Sequence, residues 1–324
     1  MPQASRSWAA RSWDNHMRVA VIGVGHLGRH HARILAGMPG VDLVGVADTN
    51  LQRAREIAET HGTTVIEDVS SLVGVVDAVV VATPTASHAA VAAPFLDAGT
   101  AVLVEKPLAR SLEEADALIA RARARGATLA VGHTERFNPA VEIARPLLTA
   151  PRFIEGHRLG TFPDRSLDID VVFDLMIHDI DVVLSVVKSP VAGIDAVGVP
   201  VLTPKFDIAN VRLRFENGCI ANLTASRISR DRVRKIRFFQ PESYVAIDFA
   251  AQELEVWRLV RPTAGVPSIE GGPVPVERAE PLARELEDFL AAVREGRDAA
   301  VTGEAGRLAL ELAQRITDQM VSVR

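Results

Sequence analysis

A glycine-spaced turn, Gly23-Val24-Gly25-His26-Leu27-Gly28, stands between a short apolar run, Arg18 to Gly23, and a segment with helical spacing from His26 to Ala36. Strand, turn and helix in that order leave few architectures open, and the alternation continues downstream. Val41 to Asp48 reads as a strand, Leu51 to Thr60 as a helix, Asp77 to Thr83 as a strand and Ser87 to Ala98 as a helix. Ala101 to Val104 and Thr128 to Gly132 read as the fifth and sixth strands, with a helix from Leu112 to Arg125 between them. The strands are continuous apolar runs, such as Ala78 to Ala82, as expected when helices cover both faces of a parallel sheet. Residues 17–133 are therefore expected to form a doubly wound α/β domain of the Rossmann type.

In that setting the turn acquires a chemistry. Its glycines permit a tight bend and let the backbone approach a pyrophosphate at a helix N-terminus, with His26 and Leu27 inside the turn. Asp48, at the end of the second strand, stands at the spacing where a carboxylate can accept both ribose hydroxyls of a dinucleotide. The same charge repels a 2′-phosphate, and no arginine immediately follows it, Arg53 being a helical turn further on, so NAD is expected rather than NADP. Thr83 and Pro84, ending the third strand, are expected to border the same cleft. His88 either lines it or satisfies backbone groups at its own helix start. The plainer reading of the turn is a bare strand-to-helix connection; strand, spacing and acid together argue for the dinucleotide.

Glu105-Lys106-Pro107 ends the run from Ala101, at the carboxyl edge of the sheet, where ligands of open α/β folds gather. A solvated lysine has a pKa of about 10.4, but partial burial and the positive charge of oxidised nicotinamide both disfavour the ammonium, which makes Lys106 a candidate general base. A second cluster lies in the otherwise apolar segment Asp170 to Val187, where Asp174, His178 and Asp181 share one helical stripe. Asp179 is rotated away from that stripe and is assigned a different contact. The stripe can equally be the solvated edge of an amphipathic helix. Carboxylates and imidazole on neighbouring turns can also ligate zinc, although no matching His or Cys cluster accompanies them, and no metal is expected.

Past Asn138 the texture changes to longer strands, Ile208 to Phe215 and Cys219 to Ala225, joined by the hairpin signal Asn217-Gly218. Closing segments return to helical spacing, with Leu286, Phe289, Leu290 and Val293 on one face and another helix from Glu304. A length of 324 residues suits two domains, so 134–324 is expected to be an α+β domain on a largely antiparallel open sheet, binding substrate and supporting oligomerisation. Residues 1–16 hold Trp8 and Trp13 but no apolar core of a secretory signal; they are expected to be a flexible extension, with Met17 a candidate start. A single cysteine, Cys219 in an apolar run, excludes an internal disulfide and points to a reducing compartment, the cytoplasm. A net charge of -5 and the absence of a bilayer-length apolar run leave neither nucleic acid nor membrane as an expected partner, although Arg227 to Arg237 is locally basic.

Taken with their order and spacing, the glycine turn, Glu105-Lys106-Pro107 and Asp174-x-x-x-His178 resemble the Gfo/Idh/MocA oxidoreductases, over nearly the whole chain from Met17. The resemblance implies that Lys106 and His178 handle a hydroxyl proton while Asp174 positions substrate or imidazole, with hydride passing to nicotinamide C4. It further implies a cis Lys106-Pro107 bond and pairing of subunits into a homodimer or homotetramer through the second domain's sheet. One departure stands at the helix entry, where Asp168-Ile169-Asp170-Val171-Val172 replaces the several glycines of many relatives. Residues 132–139 and 173–179 are similar to a subgroup, the UDP-N-acetylglucosamine 3-dehydrogenases of lipid A biosynthesis. That likeness implies cations for a diphosphate; Arg136, Arg158, Arg165 and Arg227 are available, each with surface charge as its plainer reading, and His133 at a strand end has access to substrate. The expectation is NAD-dependent oxidation of UDP-N-acetylglucosamine to its 3-keto form. The alternatives are a free sugar or inositol dehydrogenase, and a non-catalytic dinucleotide-binding regulator, which would have no use for Lys106 or His178.

Overall fold

In this computed structural model, residues 16–162, 169–263 and 265–322 are described. Residues 1–15 of the expected extension 1–16, together with Arg165 and Asp168, lie outside them.

The apolar runs form strands β1 (Met17–Ile22), β2 (Val41–Ala47), β3 (Ala78–Val81), β4 (Ala101–Glu105) and β5 (Leu129–Gly132), joined in one parallel sheet of order β2-β1-β3-β4-β5. Every residue of β3, β4 and β5 is buried, which is why these strands carry no polar alternation. Helices α1 (Gly28–Gly37), α2 (Leu51–His61), α3 (Thr85–Asp97) and α4 (Leu112–Arg125) supply the crossovers. Local chemistry sets their starts: the Asn50 side chain accepts the Arg53 N–H, and Ser111 accepts that of Glu114. The five apolar runs named in the sequence form five strands, so the numbering of the last two as fifth and sixth is corrected to fourth and fifth. Ala101 to Val104 thus belongs to the fourth strand.

The remaining chain holds β6 (Phe153–Leu159), β7 (Val191–Val199), β8 (Ile208–Phe215), β9 (Ile220–Ser226), β10 (Val233–Gln240), β11 (Ser243–Asp248), β12 (Glu253–Val260), β13 (Ser268–Val274) and β14 (Val321–Ser322). They form a mostly antiparallel sheet of order β13-β12-β11-β10-β6-β9-β8-β7-β14, in which β6 with β9 and β7 with β14 are the parallel neighbours. The helices here are α5 (Pro139–Ala144), α6 (Ile177–Val187), α7 (Pro281–Glu295) and α8 (Gly303–Gln319). Along β8 the alternation is clean, with Ala209, Val211, Leu213 and Phe215 buried and Asn210, Arg212 and Arg214 exposed. The buried face packs on Ile177, Ile180 and Val183 of α6 and on Leu312 and Ile316 of α8. Cys219 sits in this core, and burial pushes its thiol up to about 11. The hairpin predicted at Asn217-Gly218 joins β8 and β9.

Two compact units result: residues 1–132 with 282–304, and residues 133–281 with 305–324. The division is discontinuous because the apolar face of α7, with Leu286, Phe289, Leu290 and Val293, completes the core around β1, α1 and α2. Helical periodicity showed that this face exists but not where it packs.

Candidate active site

The first unit gathers its functional residues at the carboxyl ends of β1 to β4. Gly23 has φ of +88°, and a Cβ on it would lie 2.7 Å from the backbone of Ala82 and Thr83; a Cβ on Gly28 would lie 1.7 Å from the Gly23 carbonyl oxygen. Both glycines are therefore obligatory for the turn itself. Gly25 differs: only the Arg53 guanidinium comes within 4 Å of a Cβ built there, which leaves the cradle that a pyrophosphate requires. No side chain caps α1 and its first turn holds no acid, so the positive end of its dipole faces an anion uncompensated. Asp48 Oδ2 accepts the Val24 N–H at 2.9 Å and Oδ1 accepts the Asn50 N–H at 2.8 Å, which fixes the carboxylate at the turn with lone pairs left for a ribose. These residues fit a dinucleotide. One expectation changes: Arg53, a turn away in sequence, brings Nη1 to 3.6 Å from Asp48 Oδ2. The helical rise that separates them in sequence folds the long side chain back over the carboxylate.

Glu105 and Lys106 follow at the end of β4, where Glu105 is buried and Lys106 is half-buried. The Lys106–Pro107 bond is cis. His88 of α3 lies between the two neighbouring segments, with Nε2 2.8 Å from the Thr83 carbonyl oxygen and Nδ1 3.0 Å from that of Pro107. Burial lowers its pKa against those carbonyls, which favour the charged form. The ring thus ties the Thr83-Pro84 turn to the Lys106-Pro107 segment, and the second of the two readings given for it, contact with backbone groups, describes these bonds. Ser87 donates to Thr83 Oγ1 at 3.1 Å and completes the strap.

In the second unit, His133 follows β5 directly and its buried ring meets that of His178 edge-on, centroids 6.4 Å apart at 88°. His178 is half-buried and Asp174 is buried. The helix carrying them is not regular: Val172–Met176 is a π-turn and α6 begins at Ile177, so the stripe drawn at a constant 100° per residue does not hold across Asp174 and His178. Asp181, expected on that stripe, is instead buried beneath Arg136, whose Nε and Nη2 donate to its two oxygens at 2.6 and 2.9 Å. Asp179 faces another element, as its rotation implied: Arg158 of β6 donates to it twice and to Glu135 once. Burial raises the Asp179 carboxyl in spite of that guanidinium, whereas the two carboxylates hold the Arg158 charge firmly.

These contacts correct the picture of available cations. Arg158 and Arg227 are neither surface charges nor open donors: Arg158 is held as above, and Arg227 is buried on Asp207, with Nη1 donating to the Ile169 carbonyl. A buried guanidinium must keep its carboxylate, so neither can turn to a diphosphate without leaving a bare charge behind. Arg136 likewise meets Asp181 through two of its nitrogens. Arg234 was not singled out by sequence. Its side chain is exposed where it stands opposite Arg158 in the β6–β10 pairing, and partial desolvation together with the like charge of Arg158 lowers its pKa. Its only sequence signal was the basic run from Arg227 to Arg237.

A family comparison matches residues 17–133 to an oxidoreductase family with an NAD-binding Rossmann fold and residues 150–241 to the GFO/IDH/MocA C-terminal domain. The chain is 41% identical over 303 residues to UDP-N-acetylglucosamine 3-dehydrogenase of Acidithiobacillus ferrooxidans, across 93% of this chain and 96% of that protein. A solved structure of the Acidithiobacillus ferrooxidans enzyme superposes with a TM-score of 0.89 at 40% identity, covering 94% of this chain and 98% of that one. The NAD-dependent scyllo-inositol 2-dehydrogenase of Bacillus subtilis is 28% identical over 240 residues, 67% of this chain and 69% of its own.

Proposed function

Because the chain belongs to the Gfo/Idh/MocA oxidoreductase family, with its NAD-binding Rossmann domain, we propose that it oxidises the 3-hydroxyl of UDP-N-acetylglucosamine to the ketone. The observation that carries the substrate is the reach of the similarity: 41% identity over 93% of the chain takes in the second unit, where substrate specificity resides, and not only the dinucleotide domain that all such enzymes share. The inositol enzyme, at 28% over 67%, makes a free polyol the second reading.

Bound NAD supplies the acceptor for the hydride that leaves the carbinol carbon. The chain's own residues do the rest. Asp48 and the glycine turn hold the dinucleotide, and Lys106, half-buried at the same sheet edge, accepts the hydroxyl proton on Nζ as the C–H bond breaks. In the second unit His178, Asp174 and His133 are assigned to orienting the sugar ring, the rings of His133 and His178 meeting edge-on. Arg136 is held by Asp181 and so is not assigned to the diphosphate. The 3-keto product suits a later transamination, which would place the reaction in the supply of amino-sugar nucleotides for lipid A.

No helix among the described residues is long and apolar enough to cross a membrane, and with one buried thiol we place the enzyme in the cytoplasm. The outer face of the large sheet carries Phe153, Phe239 and Tyr244 in ring contact beside Glu155, Arg237 and Lys235, a mixed surface suited to a second copy of the chain. The test of the substrate is NADH production with UDP-N-acetylglucosamine, myo-inositol and simple hexoses side by side. Turnover confined to the sugar nucleotide is expected; turnover of myo-inositol with none of the sugar nucleotide would transfer the assignment to the second reading.

A further inference from the structure

Behind Lys106 lies a buried cluster drawn from three elements of the first unit: His31 on α1, Glu105 at the end of β4 and Glu285 on α7. One ring nitrogen of His31 and one carboxylate oxygen from each glutamate lie within 4.8 Å of one another. His31 Nε2 donates to Glu105 Oε1 at 2.8 Å, while its Nδ1 has no hydrogen-bond partner among the described residues. Glu105 Oε2 accepts the Lys106 amide at 3.2 Å. On the β5 side a Cβ at Gly132 would lie 2.9 Å from that same oxygen, so no side chain fits there unless the carboxylate moves.

Polar groups so deeply buried destabilise a sheet that alanine, valine and leucine otherwise fill, unless they are paired. Their placement suggests what they do. Helix α1 begins at the turn that receives the pyrophosphate, and β4 ends at the lysine; His31 and Glu105 are the direct bond between the two. The bonds of Glu105 to His31 and to the Lys106 amide join α1 to the backbone of the lysine, and α7 brings Glu285 to the same cluster. Burial would raise the Glu105 carboxyl, but the hydrogen bond and charge of His31, the Lys106 ammonium and the Lys106 N–H outweigh it and keep the group below the usual carboxylate range.

We propose that His31 and Glu285 are positioning residues for the reaction, fixing Glu105 and through it Lys106, so that the seat of the dinucleotide and the placement of the amine form one rigid piece. The inference rests on the reading of Lys106 as proton acceptor. The direct His31–Glu105 bond favours positioning over metal binding, since an ion ligated by all three would have to break it.

The test compares His31→Leu, His31→Gln, Glu285→Gln and Gly132→Ala with Lys106→Ala in the full-length protein. For His31→Leu the expected result is a fall in kcat of about 10- to 100-fold with the KM for sugar nucleotide and the affinity for NAD unchanged. The charged groups facing Glu105 are His31 from α1, Glu285 from α7, Lys106 next in the chain and His88 from α3. With His31 gone, burial dominates and raises the Glu105 carboxyl, so the acid limb of the kcat profile should be displaced from that of the wild type. His31→Gln, which keeps a donor, should regain most of kcat, and Glu285→Gln should lower it in the same sense. If His31→Leu does not fold, Gly132→Ala displaces the same carboxylate and should reproduce the kcat loss. Wild-type kcat and acid limb in folded Glu285→Gln and His31→Leu, with Lys106→Ala inactive, would overturn the proposal and leave the site reading standing. Activity lost on chelation and restored by zinc would overturn it as well. An active Lys106→Ala would sink the reading beneath it.

Discussion

Asp48 is held in place from both sides, by the Val24 and Asn50 amides, and is shadowed by Arg53. Replacing it with alanine would remove the charged acceptor proposed for the ribose, an interaction worth about 1.5–3 kcal/mol. NAD affinity should fall about 10- to 100-fold by titration calorimetry, and the preference over NADP should narrow because the Arg53 guanidinium is released. Lys106→Ala should lose about 10²- to 10⁴-fold in turnover while binding NAD normally, and undiminished turnover would exclude it as the base. Residues like these were legible in the sequence because their partners are close in the chain or fixed by the fold class. The glycines, Asp48 and the end of β4 all report on one sheet edge. The fate of Arg136, Arg158 and Arg227 was not legible, since what decides it is a carboxylate on another element: Asp181, Asp179 with Glu135, and Asp207.

Among elements, the segment from β7 to β9 hangs on one buried pair. Asp207 accepts the N–H groups of Val201, Leu202 and Thr203 and the Arg227 guanidinium, and Arg227 in turn holds the Ile169 carbonyl beside the helix entry. Burial alone would raise the Asp207 carboxyl; the Thr203 N–H, the guanidinium and the other two amides together hold it well below the usual range. Its folded pKa is therefore depressed, so its stabilisation is complete above the unfolded value of about 3.9 and is lost as pH falls through the folded one. Asp207→Asn should cost about 3–5 kcal/mol in urea unfolding at neutral pH and flatten the acid side of the stability profile; an unchanged midpoint would contradict the role of the pair. Cys219, with its thiol raised to about 11 in the core, should resist alkylation until the protein unfolds. The β8–β9 hairpin was legible from its turn residues, but the π-turn at Val172–Met176 was not, since a hydrophobic pattern cannot distinguish a widened turn from a regular one.

At the scale of the molecule, the chain forms two units and crosses between them at residues 132–133 and again near 281 and 304. The sequence puts one domain boundary after residue 133, where apolar runs give way to alternating strands. The later ones it concealed, because α7 carries the same amphipathic spacing whichever core it joins. If the outer face of the large sheet pairs with a second copy, light scattering should report a dimer or larger, and charges placed at Phe239 and Tyr244 should return the monomer; a monomeric wild type would remove that part of the account. The central claim is hydride transfer from C3 of the sugar nucleotide to NAD, and it is tested most directly with UDP-N-acetylglucosamine deuterated at that carbon. The account predicts deuterium on C4 of the reduced nicotinamide and a ketone at C3; NADH formed without deuterium would contradict it.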